Sequence, residues 1–236
     1  MSVSSFFMAA SSEQTIITNA SYLTEKGSDG WGTATDEYLT ARGYANAAIN
    51  RWEMYDNTRW KELFTTLTAA ADGTKTITAG TYTYSCPTNF RYPSSYVRIV
   101  DSGGSSSFWQ VIPPEKLAFY ANSSQRVVWF TGNIKAGFTL NINSYNIMLT
   151  TGHTINYEYF KQATLFTAIT DTTEMSDPYF ISYYIAAHMA EEGVDPDLNT
   201  MAEARLEQMR TANMGQLFGV SDDIISSIEN IPGFGR

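Results

Sequence analysis

The sequence has few of the residues that carry reaction chemistry or covalent cross-links. Cys86 is the one cysteine among 236 residues, which excludes an intramolecular disulfide. It precedes Pro87, and only His153 and His188 could serve as an imidazole base, so a packed thiol is favoured over a nucleophile. The same counts exclude the usual zinc-ligand spacings. This cysteine usage predicts folding in a reducing cytoplasm.

Charge and long apolar runs are also scarce. Charged residues make up 17% of the chain, below the usual ~25%, and the net charge is −9. The 15 Lys and Arg residues form no run, whereas a nucleic-acid binder needs clustered basic residues. An acidic surface can still line a path along which DNA slides without sticking. No stretch approaches the ~20 apolar residues of a membrane span, so none is predicted.

Aromatic residues are abundant, at 14% of the chain with 15 tyrosines. Tyrosine provides large amphipathic contact area, which favours surfaces that meet other proteins. A well-filled β-core would account for the same composition. Both interpretations stay open at this level.

Helical spacing occurs at both ends of the chain. Between Asp36 and Trp52, apolar residues recur at a spacing that places them on one face of a helix. A second run follows the i, i+3, i+4, i+7 spacing of a helix at Trp60, Leu63, Phe64 and Leu67. These patterns predict an N-terminal pair of helices. Asp177-Pro178 and Asp195-Pro196 are strong helix-start signals and predict a C-terminal pair.

The block between the helix pairs alternates with period two. Short strand patterns such as Tyr96–Val100, Phe108–Ile112 and Phe138–Ile142 are separated by Gly, Pro, Ser and Asn. We therefore predict an α+β fold, in which an α-helical bundle formed by N- and C-terminal helix pairs carries an inserted antiparallel β-sandwich or small barrel. The predicted domains are an extended N-terminal segment at 1–34, a helical domain at 35–73 plus 170–215, an inserted antiparallel β-domain at 74–165 and a C-terminal docking tail at 216–236.

The sequence contains only weak signals for a catalytic or metal-binding site. The sequence contains no phosphate loop, GxGxxG or GxSxG motif. Glu158, Asp171 and Glu174 are carboxylates that could in principle support glycoside hydrolysis. The acids Asp195 and Asp197 fit helix capping better than a calcium loop, whose Gly and closing Glu are missing. We predict no enzymatic activity and no catalytic, cofactor-binding or metal-binding residues.

The C-terminal stretch from Gln216 to Arg236 combines a short helix pattern with an apolar tail. A helix of barely two turns is marginal alone, so the segment is expected to dock either on its own core or on a partner protein. The apolar residues of this predicted portal- or partner-docking tail are Leu217, Phe218, Val220, Ile224, Ile225, Ile228, Ile231 and Phe234.

The order of these signals resembles one family, the head-to-tail connector or adaptor proteins of tailed bacteriophages, including the first tail-tube-like ring of short-tailed phages. The resemblance covers roughly Asp36 to Met214. The residues that carry it are Ala47–Glu53 and Trp60–Phe64 for the opening helices, Tyr82–Pro87, Phe90 and Tyr96–Ile99 for the first strands, Trp129–Gly132 and Leu140–Ile142 for the middle of the β-module, and Asp171 with Asp177–Ile181 for the return to helices.

The resemblance implies a ring, expected to be a dodecamer, that docks on the portal and links the capsid to the tail. Its implied partners are the portal protein, tail or nozzle proteins, further copies of itself, and double-stranded DNA passing through the channel without sequence-specific binding. It implies a place at the virion neck after assembly in the host cytoplasm, and no cofactor. The residues expected in helical core or ring packing are Trp52, Trp60, Phe64, Ile181 and Tyr184.

A binding module is the alternative. In that hypothesis the β-block is a carbohydrate- or receptor-binding sandwich on a virion or cell surface. Its stacking aromatics would be Trp109, Trp129 and Tyr120. The exposure of the two tryptophans distinguishes the hypotheses, because buried rings belong to a core and rings exposed together form a platform.

Overall fold

A computed structural model describes residues 11–24, 31–67, 76–120, 122–145, 149–191 and 193–217. The chain divides into two compact units. Met1–Glu62 with Ala163–Arg236 forms the first, which we call the helical unit, and Leu63–Gln162 forms the second, the β-unit.

The elements follow one another in chain order with the strands in the middle. They are α1 (Glu13–Leu23), α2 (Asp36–Met54), β1 (Phe64–Leu67), β2 (Thr83–Ser85), β3 (Phe90–Val100), β4 (Ser106–Val111), α3 (Leu117–Tyr120), β5 (Val127–Asn133), β6 (Gly137–Ile142), β7 (Thr154–Lys161), α4 (Tyr179–His188) and α5 (Pro196–Leu217).

The helical unit packs its longer helices around α4. Helix α4 contacts α1, α2 and α5, and it buries Phe180, Ile181 and Ile185 completely. From α2, Ala45 and Trp52 face the same core. Alanines at helical spacing allow close approach of helices, because nothing longer than a methyl group separates the backbones.

The helix-start signals at Asp177 and Asp195 are confirmed. Helix α5 begins at Pro196, and the Asp195 carboxylate accepts hydrogen bonds from the backbone N–H groups of Asp197 (2.9 Å) and Leu198 (3.0 Å). The Asp177 carboxylate accepts from the Tyr179 N–H at 3.1 Å, where α4 begins. Both carboxylates satisfy N–H groups that have no partner inside the helix.

The prediction of an extended segment at 1–34 is wrong over Glu13–Leu23, which forms α1. Ser12 caps this helix, since its hydroxyl accepts from the Thr15 N–H at 3.3 Å. The Ser- and Thr-rich composition has low helix propensity, but Ile16, Ile17 and Ala20 are buried against the unit. Tertiary burial of one apolar face therefore overrides local propensity.

The second N-terminal helix, predicted from Trp60, Leu63, Phe64 and Leu67, is also wrong. Asp56 and Asn57 adopt left-handed backbone angles, with φ of 47° and 52°, and a right-handed helix cannot continue through them. A 3₁₀ turn follows at Lys61–Leu63, and Phe64–Leu67 is strand β1, which belongs to the sheet of the β-unit. The β-branched Thr65 and Thr66 suit this strand.

The described residues of the β-unit form a seven-stranded sheet in the order β1-β7-β3-β4-β5-β6-β2. Its pairs are antiparallel except β4 with β5, which run parallel. The sheet curls into a half-barrel. One face carries the core, with Val97, Ile99, Trp109, Leu140, Ile155 and Tyr157 among its members.

The predicted fold class is therefore wrong in its architecture. The part of the chain that the structure describes is α+β, but its strands form a mixed, curled sheet in place of a sandwich, and its helices are not N- and C-terminal pairs bundled around that sheet. The connection at 112–126 explains one part of the error. It contains Pro113, Pro114 and α3, and it is long enough to return β5 parallel to β4, whereas the sequence pattern alone indicated consecutive antiparallel strands.

Candidate functional site

The sheet of the β-unit has one face that the core does not cover. Alternation along β7 shows this, because Ile155, Tyr157 and Tyr159 are buried while Glu158 between them is exposed. Arg98 on β3 and Phe108 on β4 are exposed in the same way. We call this the aromatic face and define it by the residues Thr66, Tyr96, Arg98, Phe108, Asn156 and Glu158.

A bulge in β3 shapes the aromatic face. Pro93 pairs with Tyr159 and Val97 with Tyr157, so the three residues from Ser94 to Tyr96 lie opposite Glu158 alone. Bulges interrupt the hydrogen-bond ladder and re-aim side chains, and they recur beside functional sites. Here the bulge leaves the Tyr96 ring 56% exposed.

Strand pairing brings unlike side chains together next to the bulge. Arg98 lies directly opposite Phe108 on one neighbouring strand and opposite Asn156 on the other. Phe108 is 65% exposed, an unusual state for a phenylalanine in a sheet. A groove of about 450 Å³ lies beside these residues on the aromatic face. It is lined by Thr66, Ser94, Tyr96, Arg98, Phe108, Asn156, Tyr157 and Glu158.

A rigid aromatic cluster lies on the core side of the same strands. The Phe90 ring stacks on Phe130 with centroids 4.9 Å apart and on Tyr159 at 5.4 Å. The Tyr159 hydroxyl lies 3.1 Å from Asn89 Oδ1 and donates a hydrogen bond to it. This packing supports β3 and β7 from the core side, so the side chains of the aromatic face are displayed by well-supported strands.

The chemistry of the groove suits binding better than proton transfer. Among the described residues that line it, Glu158 is the single carboxylate and Arg98 the single cation. Aromatic rings beside an arginine are the side chains that dominate the energetics of protein interfaces. The groove can therefore bury apolar area and pair one charge.

The other predicted acids are engaged elsewhere. The Asp171 carboxylate accepts from Thr167 N (2.7 Å), Ala168 N (2.8 Å) and Thr167 Oγ1 (2.9 Å). Those hydrogen bonds lower the pKa of Asp171. Glu174 accepts from Thr164 Oγ1 at 2.6 Å. Both residues therefore tie a loop of the helical unit, whereas Glu158 belongs to the β-unit.

A buried polar cluster joins α1 to α2 in the helical unit. Arg42 Nε donates to Glu13 Oε1 at 2.7 Å, and the Glu13 side chain is fully buried. Burial, followed by the negative charge of Glu13, raises the pKa of Tyr38 to about 12. A buried carboxylate needs such a partner, because an isolated buried charge is costly. The cluster therefore holds two helices together.

The predicted helical packing residues have different positions. Trp52, Trp60 and Ile181 are buried, and Trp60 Nε1 donates to the Trp52 carbonyl at 2.6 Å. Tyr184 is partly buried and its ring stacks on His188 with centroids 4.1 Å apart. Phe64 lies in β1, is 41% exposed and contacts Phe160. Their role in ring packing stays a prediction.

The predicted docking tail lies almost entirely outside the described residues. Leu217 is the last residue of α5. Phe218, Val220, Ile224, Ile225, Ile228, Ile231 and Phe234 are not described.

The stacking platform predicted from two tryptophans does not form. Trp109 is only 2% exposed and belongs to the core, where its Nε1 donates to Ser107 Oγ at 3.1 Å. Trp129 and Tyr120 are partly buried. Phe108 and Trp109 are neighbours in one strand and must face opposite sides, so the alternation could have identified Phe108 as the exposed ring. The sequence alone did not identify Tyr96, Arg98 and Phe108 as one site, because their proximity depends on strand pairing.

The two units carry opposite net charge. Leu63–Gln162 contains seven Lys and Arg against four Asp and Glu, a net charge of +3. The rest of the chain contains eight Lys and Arg against 20 Asp and Glu, a net charge of −12. The net charge of −9 for the whole chain is therefore the sum of a weakly basic β-unit and a strongly acidic helical unit.

Within the described residues, no group of three His, Cys, Asp or Glu side chains is arranged to hold a metal ion. No helix in that part of the chain is both long enough and apolar enough to cross a bilayer. Cys86 is a partly buried thiol.

Neither protein-family models nor curated proteins yield a match to this chain.

Proposed function

We propose that the chain is a structural subunit of a ring that connects the portal of a tailed-phage capsid to its tail. The observation that carries the proposal is the aromatic face, which displays Tyr96, Arg98 and Phe108 on a firmly supported sheet. Soluble proteins seldom leave such rings exposed together unless the surface meets a partner. The resemblance to connector proteins supports the same role where the expected element forms, as in α2 at Ala47–Glu53 and at the start of α4 near Asp177–Ile181, whereas Trp60–Phe64 forms a 3₁₀ turn and the start of β1.

In this proposal the partners are the portal protein, tail or nozzle proteins and further copies of the chain. The ring is part of the DNA channel at the virion neck and is assembled in the host cytoplasm. The acidic helical unit, at −12, suits a wall along which double-stranded DNA moves without specific binding, because like charges repel. The tail beyond Gln216 reaches the portal in this arrangement.

Electron microscopy and sedimentation of the chain with the portal protein of the same phage genome test the proposal. We expect rings on the portal, whether or not the isolated chain assembles. A chain that stays monomeric and ignores the portal at every salt and protein concentration would contradict it. A portal from an unrelated phage is the control for non-specific adhesion.

A further inference from the structure

The aromatic face combines exposed rings with one exposed arginine. Phe108 and Tyr96 leave apolar ring surface in water, and burying that surface against a partner is favourable. Phe108 lies opposite Arg98 on the adjacent strand β4, and Tyr96 lies two residues before Arg98 within β3. The face therefore fits a partner surface with apolar side chains next to a carboxylate.

Helix α5 of the helical unit and the residues just before it display such a surface. Met201 on α5 is 51% exposed, and Val194, two residues before α5 begins at Pro196, is 54% exposed. Asp197 is exposed and lies one helical turn before Met201, so the two side chains share one side of α5. These two apolar groups and one carboxylate, which lie within residues 194–201 and which we call the Val194–Met201 stripe, match the two rings and one cation of the aromatic face.

The net charges of the two units point to the same pairing. A cyclic ring requires each copy to present two different surfaces that fit one another. A unit of +3 and a unit of −12 in every copy are complementary between neighbours. Opposite charges favour the unlike contact and disfavour contact between two acidic surfaces.

We propose that the aromatic face binds the Val194–Met201 stripe of a second copy of this chain. The proposal rests on the ring function above and names the contact that closes the ring. Arg98 pairs with Asp197 of the second copy, while Tyr96 and Phe108 pack on its Val194 and Met201. Glu158 opposes this contact, because it adds a carboxylate to a face that meets an acidic unit.

Charge reversal tests the pairing, with self-association measured by sedimentation velocity alone and on portal rings. Arg98→Glu should weaken association about tenfold or more, since it replaces an attraction by a repulsion. Asp197→Arg should weaken it similarly, and the double variant should recover most of the loss. Glu158→Gln should strengthen association.

Arg126→Glu is the matched control, because Arg126 is an exposed arginine of the same unit that lines a different groove. It makes the same charge change and should alter association less than about twofold. Circular dichroism of each variant checks that the fold is retained.

A mixed disulfide tests the geometry directly. In a Cys86→Ala background, one preparation carries Phe108→Cys and the other Met201→Cys. Mild oxidation of the mixture should cross-link the two different chains, whereas neither preparation should cross-link with itself to the same extent. Cross-linking of Phe108→Cys chains only with each other would overturn the pairing.

The outcomes separate this contact from the ring function. If the wild-type chain assembles and Arg98→Glu weakens self-association no more than Arg126→Glu does, the proposed contact is refuted. The connector proposal then still stands. Chains that neither self-associate nor bind the portal would overturn both. Binding of a saccharide that depends on Tyr96 and Phe108, without any assembly, would assign the face to the alternative class of function.

Discussion

The helical unit and the β-unit use charged residues in different ways. In the helical unit, charges are paired inside the fold, as in Arg42 with Glu13 and Arg205 with Asp177 at 2.7 Å each. In the β-unit, charges are few and Arg98 stands exposed beside aromatic rings. The helical unit therefore uses these ion pairs for its own stability, whereas the β-unit presents Arg98 on an exposed surface.

The largest expected change in stability compares a core aromatic ring of the β-unit with a ring of its aromatic face. Phe90 is 1% exposed at the centre of the aromatic cluster. Phe90→Ala should cost about 3–5 kcal/mol of unfolding free energy through lost burial and a cavity, measured by urea unfolding. Phe108→Ala on the other face should stay within about 0.5 kcal/mol. Equal losses would mean that both rings serve the core.

The buried cluster of the helical unit should give the next effect. Glu13→Gln removes the carboxylate that Arg42 requires, and we expect a loss of about 2 kcal/mol in urea unfolding. The Arg42→Ala variant alone and the double variant complete a cycle that isolates the pair. Additive losses would show that the two side chains do not interact.

The same cluster predicts a pH dependence. The pKa of Tyr38 is about 12 in the folded chain, above its ordinary value, so the unfolded chain releases this proton first as pH rises. The contribution of Tyr38 is therefore complete below about pH 10 and is lost between about pH 10 and 12. The free energy of unfolding of Tyr38→Phe should fall less than that of the wild type between about pH 10 and 12, when urea unfolding is measured across that range.

A smaller effect is expected where α4 begins. Arg205 binds Asp177 and lies over the rings of Tyr179 and Tyr183, 5.2 Å from each centroid. Arg205→Ala should cost about 1 kcal/mol, because the group is partly exposed and its charge is screened by solvent. Arg205→Lys keeps the charge but loses the planar stacking, so an intermediate loss in thermal unfolding would separate the two contributions.

The smallest effect on stability concerns the tail. Deleting residues 216–236 should leave unfolding nearly unchanged while weakening attachment to the portal, since the segment is predicted to order on a partner. Replacing Ile224, Ile225 and Ile228 with serine is the matched variant that keeps the chain length. A stability loss as large as that of Phe90→Ala would instead indicate that the tail packs on its own unit.

Local signals in the sequence located several element starts and much of the strand block. The Asp-Pro pairs predicted the starts of α4 and α5 because capping depends on two or three adjacent residues. The same approach failed at Trp60–Leu67, where helical spacing and strand propensity compete over a short run. Burial of Trp60 beside Trp52 and pairing of β1 with β7 decide that competition.

The candidate site was out of reach for a different reason. The bulge at Ser94–Tyr96 exists only when β3 pairs with β7, and the proximity of Arg98, Phe108 and Asn156 requires three strands from separate parts of the chain. No local pattern encodes that register. Alternation could have placed Phe108 on the surface, but it could not have shown what lies beside it.

By itself, the sequence determined the acidic balance, the absence of disulfides, the helix starts and the period-two block, since each depends on composition or on neighbours along the chain. Only the tertiary structure decided that α1 is a helix, that Phe64 belongs to a strand, that the sheet is mixed, and that Tyr96, Arg98 and Phe108 share one face. Those features depend on which distant segments bury each other, and burial is the term that overrides local preference.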